Sequence, residues 1–157
     1  MGVGPSTKET TLHHFRDPLI DLVGKDKEFE FVGVVIGGIP QDNVNKYFTG
    51  QRIGAMLEAM RVDGCIVSED SWGNSNVDFA SAMEAIGRRD IPQVGMVLLG
   101  TNGLVEKNEY QDTVIDTNHS IKGAETGIVA ENCMTKNEAI QALMHLKKKM
   151  RAKYGSL

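Results

Sequence analysis

At 157 residues, with 41% apolar and 24% charged side chains, the chain can bury roughly two thirds of its unfolded surface in one core and has neither the composition of a disordered protein nor an apolar run that spans a bilayer. A net charge of −4 and a pI near 5.6 argue against nucleic acid or an anionic membrane as the main partner, the basic stretch LKKKMRAK reading as a solvated helix end. Two cysteines make neither a disulfide framework nor a zinc spacing, and the start lacks the order of a signal peptide, so a reducing, cytoplasmic setting is expected.

Taken in order, Ser6 and Glu9 have capping-box spacing and open a short helix through Leu12 and Phe15. Asp17 and Pro18 open a second, with Leu19, Ile20, Leu22 and Val23 facing inward and Gly24 at its end. Residues 1–24 are thus expected to form a helical segment packed on the core. His13 and His14 are neighbours in sequence, but adjacent helical residues diverge by about 100°, so no metal site is expected.

Residues 29–36, FEFVGVVI, are the clearest strand, closing on Gly37 and Gly38. Those glycines lack the spacing of a phosphate loop. A helix is predicted from near Asp42 or Asn43, burying Val44, Phe48, Ile53, Met56, Leu57 and Met60, with Gly50 and Gly54 one turn apart for close approach to the sheet.

The stretch 63–78, DGCIVSEDSWGNSNVD, reads as strand, polar loop and helix. Residues 64–67 are the strand and 69–74 the loop. Ser75 is placed to cap a helix that carries Phe79, Ala80, Met83 and Ile86 at helical spacing. Residues 94–99 form a third apolar run, closing on a loop that includes Thr101 and Asn102. Residues 114–116 and 127–130 read as fourth and fifth strands, too close together for a full crossover, so one of them is antiparallel or at an edge. Thr135 and Glu138 form a capping box for a last helix with Ile140, Leu143, Leu146 and Met150 inward.

Strands alternating with helices predict a single α/β domain over 1–157: three layers, a mostly parallel sheet of about five strands flanked by helices, flavodoxin-like or Rossmann-like. In such a sheet Gly37, Gly38, residues 69–74, Thr101, Asn102, Asn118 and His119 leave from one edge, where open α/β sheets bind ligands. The competing reading is that Ser, Asn, Gly and Asp are simply good turn residues.

The segments GPSTKETTLHHFRDP, DGCIVSEDSWGNSNVDF and IPQVGMVLLGTNG resemble the component-B-type subunits of the D-proline and glycine/sarcosine/betaine reductases of amino-acid-fermenting anaerobes. The resemblance covers nearly the whole chain, SWGNSNVDF is its most specific part, and the small size is similar to that of the accessory protein encoded with D-proline reductase. It implies reductive cleavage of an α-amino acid, with substrate carried on a cysteine-derived pyruvoyl group of one subunit and electrons supplied by a selenocysteine of another. This chain departs from that chemistry. It has no selenocysteine, Cys65 sits inside a predicted strand where cleavage would divide the core, Cys133 lies near the carboxyl end, and Met1 cannot yield a pyruvoyl. The cofactors are therefore expected on partner subunits.

Two functional readings follow from the resemblance: an accessory subunit that binds the other reductase subunits, or a substrate-binding part of the active, oligomeric complex. In the second, Ser71, Asn74 and Asn76 would hold an amino-acid carboxylate, Glu69 or Asp70 its nitrogen, Trp72 would cover an apolar ring, and Gly73, Thr101 and Asn102 would complete the pocket. His119 is the candidate catalytic residue, since an imidazole can move a proton near neutral pH. Each has a plain structural rival as cap, turn, surface histidine or packed indole. A flavodoxin-like nucleotide or flavin module is a third reading, weakened by the acidic loop.

Overall fold

The computed structural model describes residues 18–69, 73–99, 103–120 and 134–155. Helix α1, Pro18–Lys25, opens on a proline, whose missing N–H would have no helical acceptor at that position. Helix α2, Asn43–Ala59, is capped by Asp42, whose Oδ1 accepts from Asn45 N at 2.9 Å. Strand β1, Cys65–Glu69, leads through a 3₁₀ turn, Gly73–Ser75, into α3, Asn76–Gly87. Strands β2, Gln93–Val97, and β3, Val114–Asp116, follow, and α4, Lys136–Tyr154, closes the fold.

The three strands are parallel in the order β1-β2-β3, with Cys65 opposite Gln93, and Gly95 opposite Val114. Every residue of β2 is buried, as a central strand covered on both faces requires. On one face Val94 and Met96 join Leu19 of α1 and Ala139, Ala142, Leu146 and Met150 of α4. On the other, Val97 packs with Phe79 and Met83 of α3, and Gly95 leaves room for the Phe79 ring, which would lie 2.5 Å from an added Cβ. Burying each of these large side chains contributes about 1.5–3 kcal/mol. The arrangement is the expected three-layer α/β sandwich.

The details depart from expectation in four places. First, residues 29–36 pair with no strand among the described residues. Strand propensity reflects packing on a pleated surface, and here only Phe29 and Val35 reach the core. Among the described residues the sheet therefore has three strands, against the five expected; 127–130 lies outside the described residues, as do the Ser6 helix and His13 and His14. Of the last two predicted strands, β3 is parallel to β2 and outermost among the described strands.

Second, α2 turns a different face inward. Its buried residues are Lys46, Gly50, Gly54 and Leu57, while Val44, Phe48 and Met56 stay 78%, 59% and 53% exposed. The glycines approach α3, not the sheet: a Cβ on Gly54 would stand 2.7 Å from the Ala85 carbonyl oxygen, and one on Gly50 2.8 Å from the Ser81 carbonyl carbon. Backbone contact along this stripe outweighs the apolar stripe beside it.

Third, Ser75 ends the 3₁₀ turn and makes no side-chain cap on α3. Fourth, the basic end of α4 is largely paired. Lys147 bonds Asp26 and Glu28, Lys149 bonds Asp112, Arg151 bonds Glu28 and Lys153 reaches Asp90. These contacts stitch α4 to the segment after α1 and to the turns before β2 and β3. The predicted capping box at Thr135 and Glu138 is present.

Candidate functional site

Because the strands are parallel, Glu69, Val97 and Asp116 end in one row at one edge of the sheet, each opposite the next. The best-defined part of that edge follows β3. Asp116 Oδ1 accepts from Leu99 N at 3.0 Å and from Asn118 N at 2.9 Å. Asn118 Nδ2 donates to Leu99 O at 2.6 Å, its Oδ1 accepts from Ser120 N at 2.9 Å, and Thr117 N donates to Val97 O at 2.7 Å. Two short polar side chains thus bond the local backbone, as Asp and Asn do in turns, and stitch the end of β3 to the end of β2. Thr117 is fully buried, and its Oγ1 has no hydrogen-bond partner.

The clamp fixes where His119 leaves the sheet. Its Nε2 lies 3.1 Å from Glu138 Oε1, and the other oxygen of that carboxylate accepts from Thr135 N at 2.7 Å. Glu138 therefore closes the cap of α4 and orients the imidazole together. The His119 side chain keeps about a third of its surface in water, so the ring is both held and accessible, the condition for passing a proton.

Across the edge, Gly73 adopts a φ of +57°, a conformation glycine takes without steric cost. Asn74 Nδ2 reaches the Gln41 carbonyl at 3.4 Å, tying the loop to the start of α2. Asn76 is 2% exposed and its Oδ1 accepts from Glu106 N at 2.7 Å, so that oxygen joins α3 to the segment after β2. Glu69 ends β1, half-buried. Asp70, Ser71, Trp72, Thr101 and Asn102 lie outside the described residues. Gly37 and Gly38, expected at the same edge, instead line a groove against α2.

Cys65 opens β1, its N–H bonded to Pro92 O at 3.0 Å and its side chain packed against the Leu57, Ile86 and Ile91 cluster. The half-buried side chain is desolvated, which pushes its thiol up to about 12 and disfavours the thiolate at neutral pH. Cleavage before Cys65 would leave all three described strands on one fragment and part them from α1 and α2, which pack against them and against α3; Cys133 lies outside the described residues.

Sequence reasoning missed the Lys46 and Asp78 ion pair. Lys46 is 2% and Asp78 8% exposed, and they meet between α2 and α3. The signal was available: Lys46, Gly50, Gly54 and Leu57 form one stripe, so a lysine was aligned with the residues suited to close packing. Asp116 and Glu138 were missed because each acts through a neighbour distant in sequence.

Residues 2–104 match the family of glycine/sarcosine/betaine reductase component B subunits. The chain belongs to this family. It is 39% identical over 146 residues to the D-proline reductase proprotein PrdA of Acetoanaerobium sticklandii, which takes in 92% of this chain and 23% of that protein. Over 78 residues, 48% of this chain and 18% of the relative, it is 30% identical to the sarcosine reductase complex component B subunit alpha of Peptoclostridium acidaminophilum. It therefore spans less than a quarter of either curated relative. No solved structure matches it significantly. No helix among the described residues is long and apolar enough to cross a membrane.

Proposed function

We propose that the chain is a component-B-type subunit of an amino-acid reductase complex of the D-proline reductase kind, and that it contributes binding surface instead of a reactive carbonyl. The observation that carries this is Cys65. The domain is 39% identical to part of a reductase proprotein, yet its described cysteine is a packed strand residue whose burial keeps the thiol protonated. The polar residues at the carboxyl edge fit the same role, since Asn76, Asp116 and Asn118 all spend hydrogen bonds on holding the backbone. In this reading the pyruvoyl group and the selenocysteine belong to partner subunits, and α-amino-acid substrate meets this chain only within the assembly.

One observation favours the substrate-binding alternative: the accessible His119 ring, oriented by Glu138 at the edge where ligands bind in such sheets. The first reading is tested by tagging this chain in an amino-acid-fermenting anaerobe and identifying what co-purifies. Longer reductase subunits in stoichiometric amounts are expected. Their absence from the eluate sinks the reductase reading.

A further inference from the structure

Residues 29–36 have the composition of a buried strand and, among the described residues, no strand beside them. Phe29 and Val35 turn into the core, whereas Val32, Val34 and Ile36 are 58%, 61% and 92% exposed. Every even position from 30 to 36 is exposed, and of the odd ones Phe31, 40% exposed, and Gly33 face water as well. No backbone hydrogen bond joins residues 29–40 to the other described residues. Alongside, Ile39 and the outward stripe of α2, Val44, Phe48 and Met56, are also exposed. A groove of about 570 Å³ runs between segment and helix, lined by Val34, Ile36, Ile53 and Met56 among others.

The exposed apolar side chains of the segment and the helix leave on the order of 700 Å² of surface in water, above the roughly 300–600 Å² of the largest patch on a typical monomer. It is close to the ~800 Å² that each partner contributes to a standard stable interface.

We propose that this face is the interface of a two-fold homodimer, in which residues 31–37 pair antiparallel with the same residues of a second copy. A two-fold axis demands a surface complementary to itself, and 31–37, FVGVVIG, carries no charge that would meet its like. In an antiparallel pair, opposed residues share a face. Centring the axis on Val34 sets Val34 against itself and Val32 against Ile36 of the second copy, so the three exposed side chains meet one another. The same contact satisfies backbone groups that are otherwise left to water, blunting an apolar edge that invites aggregation. Arg52, stacked 5.6 Å from the centre of the Phe48 ring, would lie at the rim.

The test uses the purified full chain in light scattering and oxidative cross-linking. A mass of twice 17.2 kDa is expected at about 50 µM, a concentration at which micromolar affinity fills the dimer. Val34→Asp should weaken association by about a hundredfold with an unchanged circular dichroism spectrum, since the side chain is exposed in one copy. Val34→Cys should form a disulfide-linked dimer, because Cβ atoms of directly opposed residues lie about 4.5–5.5 Å apart. Met144→Cys, 65% exposed on α4, should not. A 17.2 kDa species for the unaltered chain, a dimer indifferent to Val34→Asp, or cross-linking no better at position 34 than at 144 overturns the proposal.

Discussion

At the scale of single residues, the strongest local commitment in the molecule is the buried pair of Lys46 and Asp78. Two charges taken out of water are stabilised mainly by each other, and Asp78 Oδ1 has no further hydrogen-bond partner. Removing one partner leaves the other uncompensated. Lys46→Ala is therefore expected to cost about 3–5 kcal/mol in urea unfolding, and Lys46→Met with Asp78→Leu to recover most of that loss. A single substitution with under 1 kcal/mol of effect would mean that water reaches the pair. None of this was legible from composition, because a lysine on a helix reads as solvated until its neighbours along the stripe are seen to be glycines. By contrast, the polar edge was legible in outline. Asn118 and His119 were placed there from strand direction alone, and the structure adds that Asp116 and Asn118 hold the turn while Glu138 holds the ring.

Among elements, α1 and α4 pack through Leu19 and through a charge cluster in the residues after α1. Lys147 bonds the Asp26 and Glu28 carboxylates and holds both below their ordinary values, with Arg151 adding to the effect at Glu28. A carboxyl lowered in the fold stabilises it above the unfolded value near about pH 4, and that contribution fades as pH falls through the folded value. Lys147 is raised, chiefly by Asp26, so its contribution is whole below its unfolded value of 10.5 and fades only as pH rises beyond it. Urea midpoints are expected to fall between about pH 5 and pH 3. Lys147→Met removes the ammonium, which also sits 5.4 Å from the centre of the Phe29 ring, while keeping an unbranched side chain, and should flatten that fall; an unchanged pH profile would assign it to other carboxylates. The elements with clear periodicity and caps, α3, α4, β2 and the start of α2, were readable from the chain. The face of α2 and the pairing of 29–36 were not. Close backbone approach and the presence of a neighbouring strand are tertiary facts, and of the predicted apolar face of α2 Leu57 and Ile53 reach the core beside Gly50 and Gly54 while Val44, Phe48 and Met56 stay exposed.

For the whole molecule, three parallel strands between helical layers form a scaffold whose reactive possibilities are few among the described residues. Cys65 packs in β1, and at the sheet edge His119 contacts Glu138. The family relatives are more than four times as long as the stretch they share with this chain. The most direct test is the dithiol-dependent reduction of D-proline by the purified chain alone. No turnover above the uncatalysed background is expected, because in the proposed reading the carbonyl and the selenol belong to partner subunits. Sustained turnover by the isolated chain would contradict the assignment of a binding rather than a catalytic role.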